Sequence, residues 1–181
     1  LKWLRVNISA ASEEAFQKIH KVTHRNRVLD NIRVMVEAKK QFQYDCTIGL
    51  QMVVTKENMD QIVPLAKLGR ELGADYLVVK ACSDTYDGEL DAPTSEYNDI
   101  KGTFEEAESW STENYTVSVK WEKITNGGIK DYDVCFGTQF LMAISGNGNV
   151  FPCGHWFDVR TKEFLMGNVI ETPFEEIIKS E

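Results

Sequence analysis

The chain has 181 residues, 43% hydrophobic and 27% charged, an ordinary globular balance with room for one large domain or a domain and a half. Its 20 basic and 28 acidic residues give a formal net charge of −8, which argues against a nucleic-acid partner, since that would need a dense Lys/Arg face. No apolar run reaches the roughly 18 residues of a membrane-spanning helix, and four cysteines are too few for a secreted disulfide framework. A cytoplasmic setting, away from membranes, is expected.

No signal peptide is read, because Leu1 opens directly into a strand pattern. That opening, without an initiator Met, reads as a piece of a longer protein. In "LKWLRVNIS", Leu4, Val6 and Ile8 share one face while Arg5, Asn7 and Ser9 share the other. Ser12 with Glu13 and Glu14 is an N-cap and acidic first turn, and helical segments follow to about Lys40, with Leu29, Ile32 and Val36 on one face. "YDCTIGLQMVV" is a second strand. A helix is expected from about Asn58 to Leu72, stopped by Gly73, although Pro64 sits awkwardly inside it. "DYLVVK" is a third strand.

Strand–helix–strand–helix–strand implies a parallel sheet with right-handed crossovers. Parallel strands are usually apolar on both faces, whereas these are apolar on one. The other face is polar enough to line a cavity, and ligands of such folds sit at the C-terminal strand ends, here near Ser9, Val54 and Lys80. Residues 82–94 form an acidic loop with Asp84, Asp87, Glu89 and Asp91, but without the spacing of a calcium loop. A helix near 95–110, a strand "YTVSVKWEKI" and a turn "TNGG" at 125–128 come next.

The stretch "CFGTQFLMAISGNGNVFPCGHW" then reads as a hairpin, with strands at 138–145 and 149–152 and a cysteine on each shoulder, and a short helix from about Pro173 ends the chain. Cys135, twelve residues, Gly148, four residues, Cys153 is a spacing that lets two sulfurs converge across a glycine turn. A disulfide, a soft metal or iron–sulfur site, and core filling all fit that spacing.

The pattern C-x(9–15)-G-x4-C resembles the opening of the auxiliary-cluster domain (SPASM, or its shorter Twitch relative) of radical S-adenosylmethionine (SAM) enzymes. "FLMGNV" and "PFEEIIKSE" resemble the segment that follows it. "WLRVNISAASEEAFQKIH" is similar to the fourth strand and helix of that family's partial barrel, "MVVTKEN" to its fifth strand and "LGADYLVVK" to its sixth. The resemblance implies an α/β fold: the C-terminal part of a partial (β/α)6 TIM-like barrel over 1–82, a connecting region over 83–130, and the start of a SPASM/Twitch-type hairpin-plus-helix domain over 131–181.

It further implies a radical SAM enzyme that generates a 5′-deoxyadenosyl radical and abstracts hydrogen from a peptide, sugar or small metabolite, with a flavodoxin or ferredoxin as electron donor. Carried over by position, Asn7 stands where the family places a serine near the SAM ribose, and Ser9 where an aspartate is common. Val53 and Val54 fall where backbone approaches the adenine, and Lys80 joins these as a cofactor-binding candidate. Cys135 and Cys153 match the first two ligands of an auxiliary [4Fe–4S] cluster. The family's C-x3-C-x2-C loop is absent from residues 1–181, so the chain reads as an internal fragment, inactive alone. A non-catalytic α/β recognition or assembly domain without a cluster is the alternative.

Of the remaining candidates, Cys46 is expected in the core and Cys82 near the mouth of the sheet. His155 is expected at the surface, and His20 and His24 in a solvated cluster with Lys21 and Arg25.

Overall fold

The computed structural model describes residues 1–84, 89–125, 133–157 and 160–179. Asp87 and the last three residues of "TNGG" lie outside the described residues. The chain divides into two units, Leu1–Ile129 and Lys130–Glu181.

The first unit runs β1 (Trp3–Asn7), α1 (Glu13–His20), α2 (Arg25–Phe42), β2 (Thr47–Val54), α3 (Ile62–Glu71), β3 (Tyr76–Ala81), α4 (Lys101–Ser109), β4 (Thr116–Val119) and α5 (Trp121–Thr125). Its four strands form one parallel sheet in the order β1-β2-β3-β4. The register aligns Arg5 with Gly49 and Tyr76, Asn7 with Gln51 and Val78, and Val53 with Lys80. Ile48, Leu50, Met52, Val54, Leu77 and Val79 face the core and are buried, each contributing about 1.5–3 kcal/mol through burial. The opposite face, from Arg5 and Asn7 across to Ser118, is only partly covered.

Local chemistry sets the helix ends. Ser12 Oγ accepts from Ala15 N at 3.2 Å at the start of α1, satisfying one of the donors a helix N-terminus leaves free. A single 3-10 turn at Met59–Gln61 precedes α3, which places Pro64 in the first turn of the helix, where its missing N–H costs nothing. At the N-terminal end of β3, the Asp75 carboxylate accepts from Ile48 N and Lys39 Nζ, both at 2.6 Å, and so ties α2 to two strands.

Two expectations for this unit need correction. The strand read through "YTVSVKWEKI" stops at Val119. Glu108 Oε1 accepts from Val119 N and Glu108 Oε2 from the Trp121 indole, each at 3.0 Å, while Ile124 N bonds back to Lys120 O and turns the chain into α5. The helix near 95–110 begins only at Lys101, because residues 94–100 form turns that bury Tyr97.

In the second unit, β5 (Ala143–Ile144), β6 (Asn149–Phe151), α6 (Thr161–Phe164), β7 (Gly167–Asn168) and α7 (Phe174–Ile177) replace the simple hairpin. The strand expected over 138–145 shrinks to two residues, since Phe140 N and Leu141 N both bond Gly137 O and close a turn first. A third strand also joins, giving an antiparallel sheet β5-β6-β7. Asn168 organises the turn: its Nδ2 donates to Asn147 O at 3.0 Å and Asn149 Oδ1 at 2.9 Å, and its Oδ1 accepts from Ile170 N at 2.8 Å. Among the described residues of this unit, Val150, Phe151 and Ile177 are the buried apolar ones. Phe157 meets Phe151 edge-on at 5.4 Å, and Trp156 stacks on Phe164 at 4.0 Å.

Candidate functional site

The C-terminal ends of the first unit's strands meet in a polar knot centred on Ser9. This residue is only 3% exposed, so each of its polar groups needs an internal partner. Ser9 N donates to His20 Nε2 at 3.1 Å, Ser9 Oγ accepts from Val53 N at 3.2 Å, and Ser9 O accepts from Asn58 Nδ2 at 2.8 Å. Asn58, itself fully buried, also donates to Val53 O at 2.9 Å and accepts from Thr55 N at 2.7 Å. Gln61 Oε1 takes two further donors of the loop, Ala11 N and Ser12 N. The loop between β1 and α1 is thus held by three side chains, His20 at the end of α1 and Asn58 and Gln61 from the turn ahead of α3.

The candidates named from sequence occupy different positions around this knot. Asn7 is exposed on the open face of the sheet, and Lys80 is half-buried on the same face, two strands away. Ser9 points its hydroxyl inward to Val53. Val53's backbone N–H and C=O are both engaged, and Val54 O accepts from the Tyr97 hydroxyl at 2.7 Å. That hydroxyl in turn accepts from Cys82 N at 2.8 Å, and burial pushes its pKa up to about 12, so it stays a neutral bridge between the ends of β2 and β3.

His20 and Asn58 were missed as site residues. The imidazole of His20 packs against Phe16, the ring centroids 4.4 Å apart and tilted by 34°, and burial lowers its pKa, in keeping with the neutral acceptor that Ser9 N requires. A histidine among lysines and arginines carries no signal of such a role, because its partner is a backbone N–H. For Asn58 the buried knot itself is the signal, and it is visible only in three dimensions.

Beside the knot, a cavity of about 360 Å³ is lined by Lys18, Lys21, Lys56, Glu57, Cys82 and Asp91, among others. Its cations are largely matched: Lys56 pairs with Asp91 at 2.6 Å and Glu96 at 3.2 Å, and Lys18 with Glu57 at 3.6 Å. Burial, with Asp84 adding to it, raises the pKa of the Cys82 thiol and disfavours the thiolate a metal would need. Cys46 packs half-buried against the core.

In the second unit, Cys135 immediately precedes a 3-10 turn at Phe136–Gln139 and Cys153 a 3-10 turn at Gly154–Trp156. Both are free thiols, Cys135 exposed and Cys153 half-buried. Gly137 leaves room beside Cys135, where an added Cβ would lie 3.3 Å from its Sγ. Two accessible soft donors on one small unit suit an iron–sulfur cluster as part of a ligand set. Among the described residues no group of three or more His, Cys, Asp or Glu is gathered for a metal. His155 is exposed.

The SPASM iron–sulfur cluster-binding domain matches residues 135–181, beginning at Cys135 itself. Over 96% of its length the chain is 27% identical to the AdoMet-dependent heme synthase of Methanosarcina barkeri. These likenesses support a radical SAM/SPASM fragment. The chain spans about half the length of that curated relative, 52%. Among solved structures, Streptococcus suis SuiB bound to S-adenosylmethionine matches 99% of the chain at a TM-score of 0.66 and 13% identity, the chain covering 42% of SuiB. SuiB bound to its precursor peptide SuiA matches 99% of the chain at 0.56 and 15%, again over 42% of SuiB. These structural likenesses support the mixed α/β fold with its parallel sheet. Among the described residues no helix is long and apolar enough to cross a membrane.

Proposed function

We propose that the chain is part of a radical SAM enzyme whose first unit is the C-terminal part of a partial (β/α)6 barrel and whose second unit holds an auxiliary [4Fe–4S] cluster. The observation that carries this reading is the pairing of a parallel sheet, open on one polar face, with a SPASM segment that starts at an accessible cysteine. When bound, a reduced [4Fe–4S] cluster and S-adenosylmethionine supply a 5′-deoxyadenosyl radical that removes a hydrogen atom from substrate.

The chain's own residues bind and orient. Cys135 and Cys153 are the proposed first two ligands of the auxiliary cluster. Asn7 and Lys80 offer side chains at the cofactor end of the open face, while Ser9, Val53 and Val54 shape the backbone there. His20, Asn58 and Gln61 hold the loop that carries Ser9. A flavodoxin or ferredoxin is the proposed electron donor.

The test uses the longest natural form of the chain, reconstituted anaerobically with iron and sulfide, reduced and supplied with S-adenosylmethionine. 5′-Deoxyadenosine is the expected product, and Cys135→Ala and Cys153→Ala are each expected to lower bound iron per chain. Absence of both product and iron in a folded protein would overturn the reading.

A further inference from the structure

The four strands of the first unit, WLRVN, TIGLQMVV, YLVVKA and TVSV, contain two cations, Arg5 and Lys80, and no carboxylate. In a chain with 28 acidic residues against 20 basic, that is a strong local reversal. Alternation along the strands puts both cations on the open face, since Arg5 aligns with Gly49 and Tyr76, and Lys80 with Val53. Among the described residues neither has a carboxylate within ion-pair distance. The nearby cavity at Lys56 differs, because there each strong contact is internal.

Arg5 is also held in place. Its guanidinium lies over the Trp3 ring at 4.5 Å, and one of its Nη groups donates to Gln51 Oε1 at 2.8 Å. The Trp3 indole donates to the Tyr76 hydroxyl at 2.7 Å, across β2. The span is open only because residue 49 is glycine: an added Cβ would fall 1.9 Å from Tyr76 Cζ. Arg5 therefore rests on an aromatic floor with one arm of its fork occupied. Its other N–H groups remain for a planar anion, which a guanidinium holds in two-point fashion.

We propose that the open face of β1–β4 binds a compact molecule carrying two or more carboxylates, with Arg5 as principal receptor and Lys80 as second cation beside the cofactor end. This rests on the radical SAM reading and names the substrate class for that site. Strand spacing and rise put the two Cα atoms on the order of 16 Å apart. Arg and Lys side chains are long enough to extend several ångströms toward each other over the face, so the two cations can address carboxylates about 10 Å apart, a distance one small molecule spans. A peptide lying on the face would meet only these two cations among otherwise uncharged strand positions.

Suberate, its uncharged diamide and hexaglutamate serve as probes on the isotope-labelled intact chain, with the indole N–H resonance of Trp3, assigned through Trp3→Phe, as the local reporter. Suberate is expected to shift that resonance at millimolar concentration and the diamide to leave it in place. Arg5→Gln is expected to weaken suberate binding about tenfold or more, the loss of a charged hydrogen-bonded pair. Lys80→Met should weaken it less, and Arg5→Lys should fall between, keeping charge but not the fork. Should Arg5→Gln unfold, Arg5→Lys and Lys80→Met carry the comparison.

Equal binding of diacid and diamide, no binding of suberate, or affinity unchanged in these variants would overturn the proposal. So would hexaglutamate binding where suberate does not, which would make the occupant an acidic peptide. The measurement needs neither cluster nor S-adenosylmethionine, so its failure is separate from failure of the radical reaction.

Discussion

His20 shows how one side chain sets the behaviour of a loop. Its Nε2 accepts Ser9 N–H only while the ring nitrogen is unprotonated, and burial holds its pKa below the ordinary imidazole value. The unfolded chain therefore takes up a proton at higher pH than the folded chain, so stability rises with pH across the window between the two values. The contribution is complete above about pH 6.5 and is lost as pH falls through the lower, folded-state value. His20→Gln keeps an acceptor for Ser9 N without the titration. Denaturant midpoints measured at a series of acidic to neutral pH values are expected to fall more steeply for the parent than for this variant, and parallel curves would remove His20 as the cause. The residue was misread from sequence for a physical reason. A His flanked by Lys21 and followed by His24 and Arg25 has the look of a solvated helix end, and a backbone donor eleven positions earlier leaves no trace in side-chain pattern. Ser12, by contrast, announced its cap, because capping is local.

At the scale of elements, locality again decides what could be foreseen. The strands of the parallel sheet were readable from alternation alone, since each buries one face on helices that also show their periodicity. The strand expected over 138–145 failed because "CFGTQFLMA" carries no strand-like alternation, and Gly137 O captures two N–H groups before any sheet can form. What survives of the hairpin depends on its turn. Gly148 sits at φ +87°, and a Cβ there would lie 2.8 Å from Asn168 Oδ1 and 2.9 Å from Ile170 Cγ1, whereas Gly146 has open space around it. Gly148→Ala is expected to destabilise the second unit by about 1–3 kcal/mol through left-handed backbone and overlap, and Gly146→Ala to leave it near the parent. Hydrogen exchange of the Val150 amide reports on this sheet directly. Equal protection in both variants would mean that the turn does not hold the strands.

For the whole molecule, the order β1-β2-β3-β4 leaves β1 and β4 as edges among the described residues. β1 begins at the half-exposed Trp3, and backbone groups on an open edge are a template for another strand. Sedimentation velocity on the 181-residue chain is expected to show mass rising with concentration, and an ideal monomer throughout would show that the edges are protected. The mixed α/β class with its parallel sheet was within reach through repetition of strand and helix, and the SPASM segment through its family resemblance, since the cysteine–glycine–cysteine spacing alone left a disulfide and core filling open. The bonds that join the strand ends were not, because Ser9, Val53, Asn58 and Tyr97 act mostly on backbone atoms far away in the chain.

The knot at Ser9 has a bearing on how such a protein changes over generations. Three contacts from three segments converge on one small residue, and each uses a different atom of it. Alanine would drop the hydroxyl and orphan Val53 N–H, and a larger side chain would have to be housed at a position only 3% exposed. Proline would delete the N–H that His20 receives. The position is therefore evolutionarily rigid even though it sits beside the open face of the sheet, the proposed substrate surface. Variation is channelled outward, to Asn7, Gln51 and Ser118 on the open face, where a side chain can be exchanged without unpicking the loop.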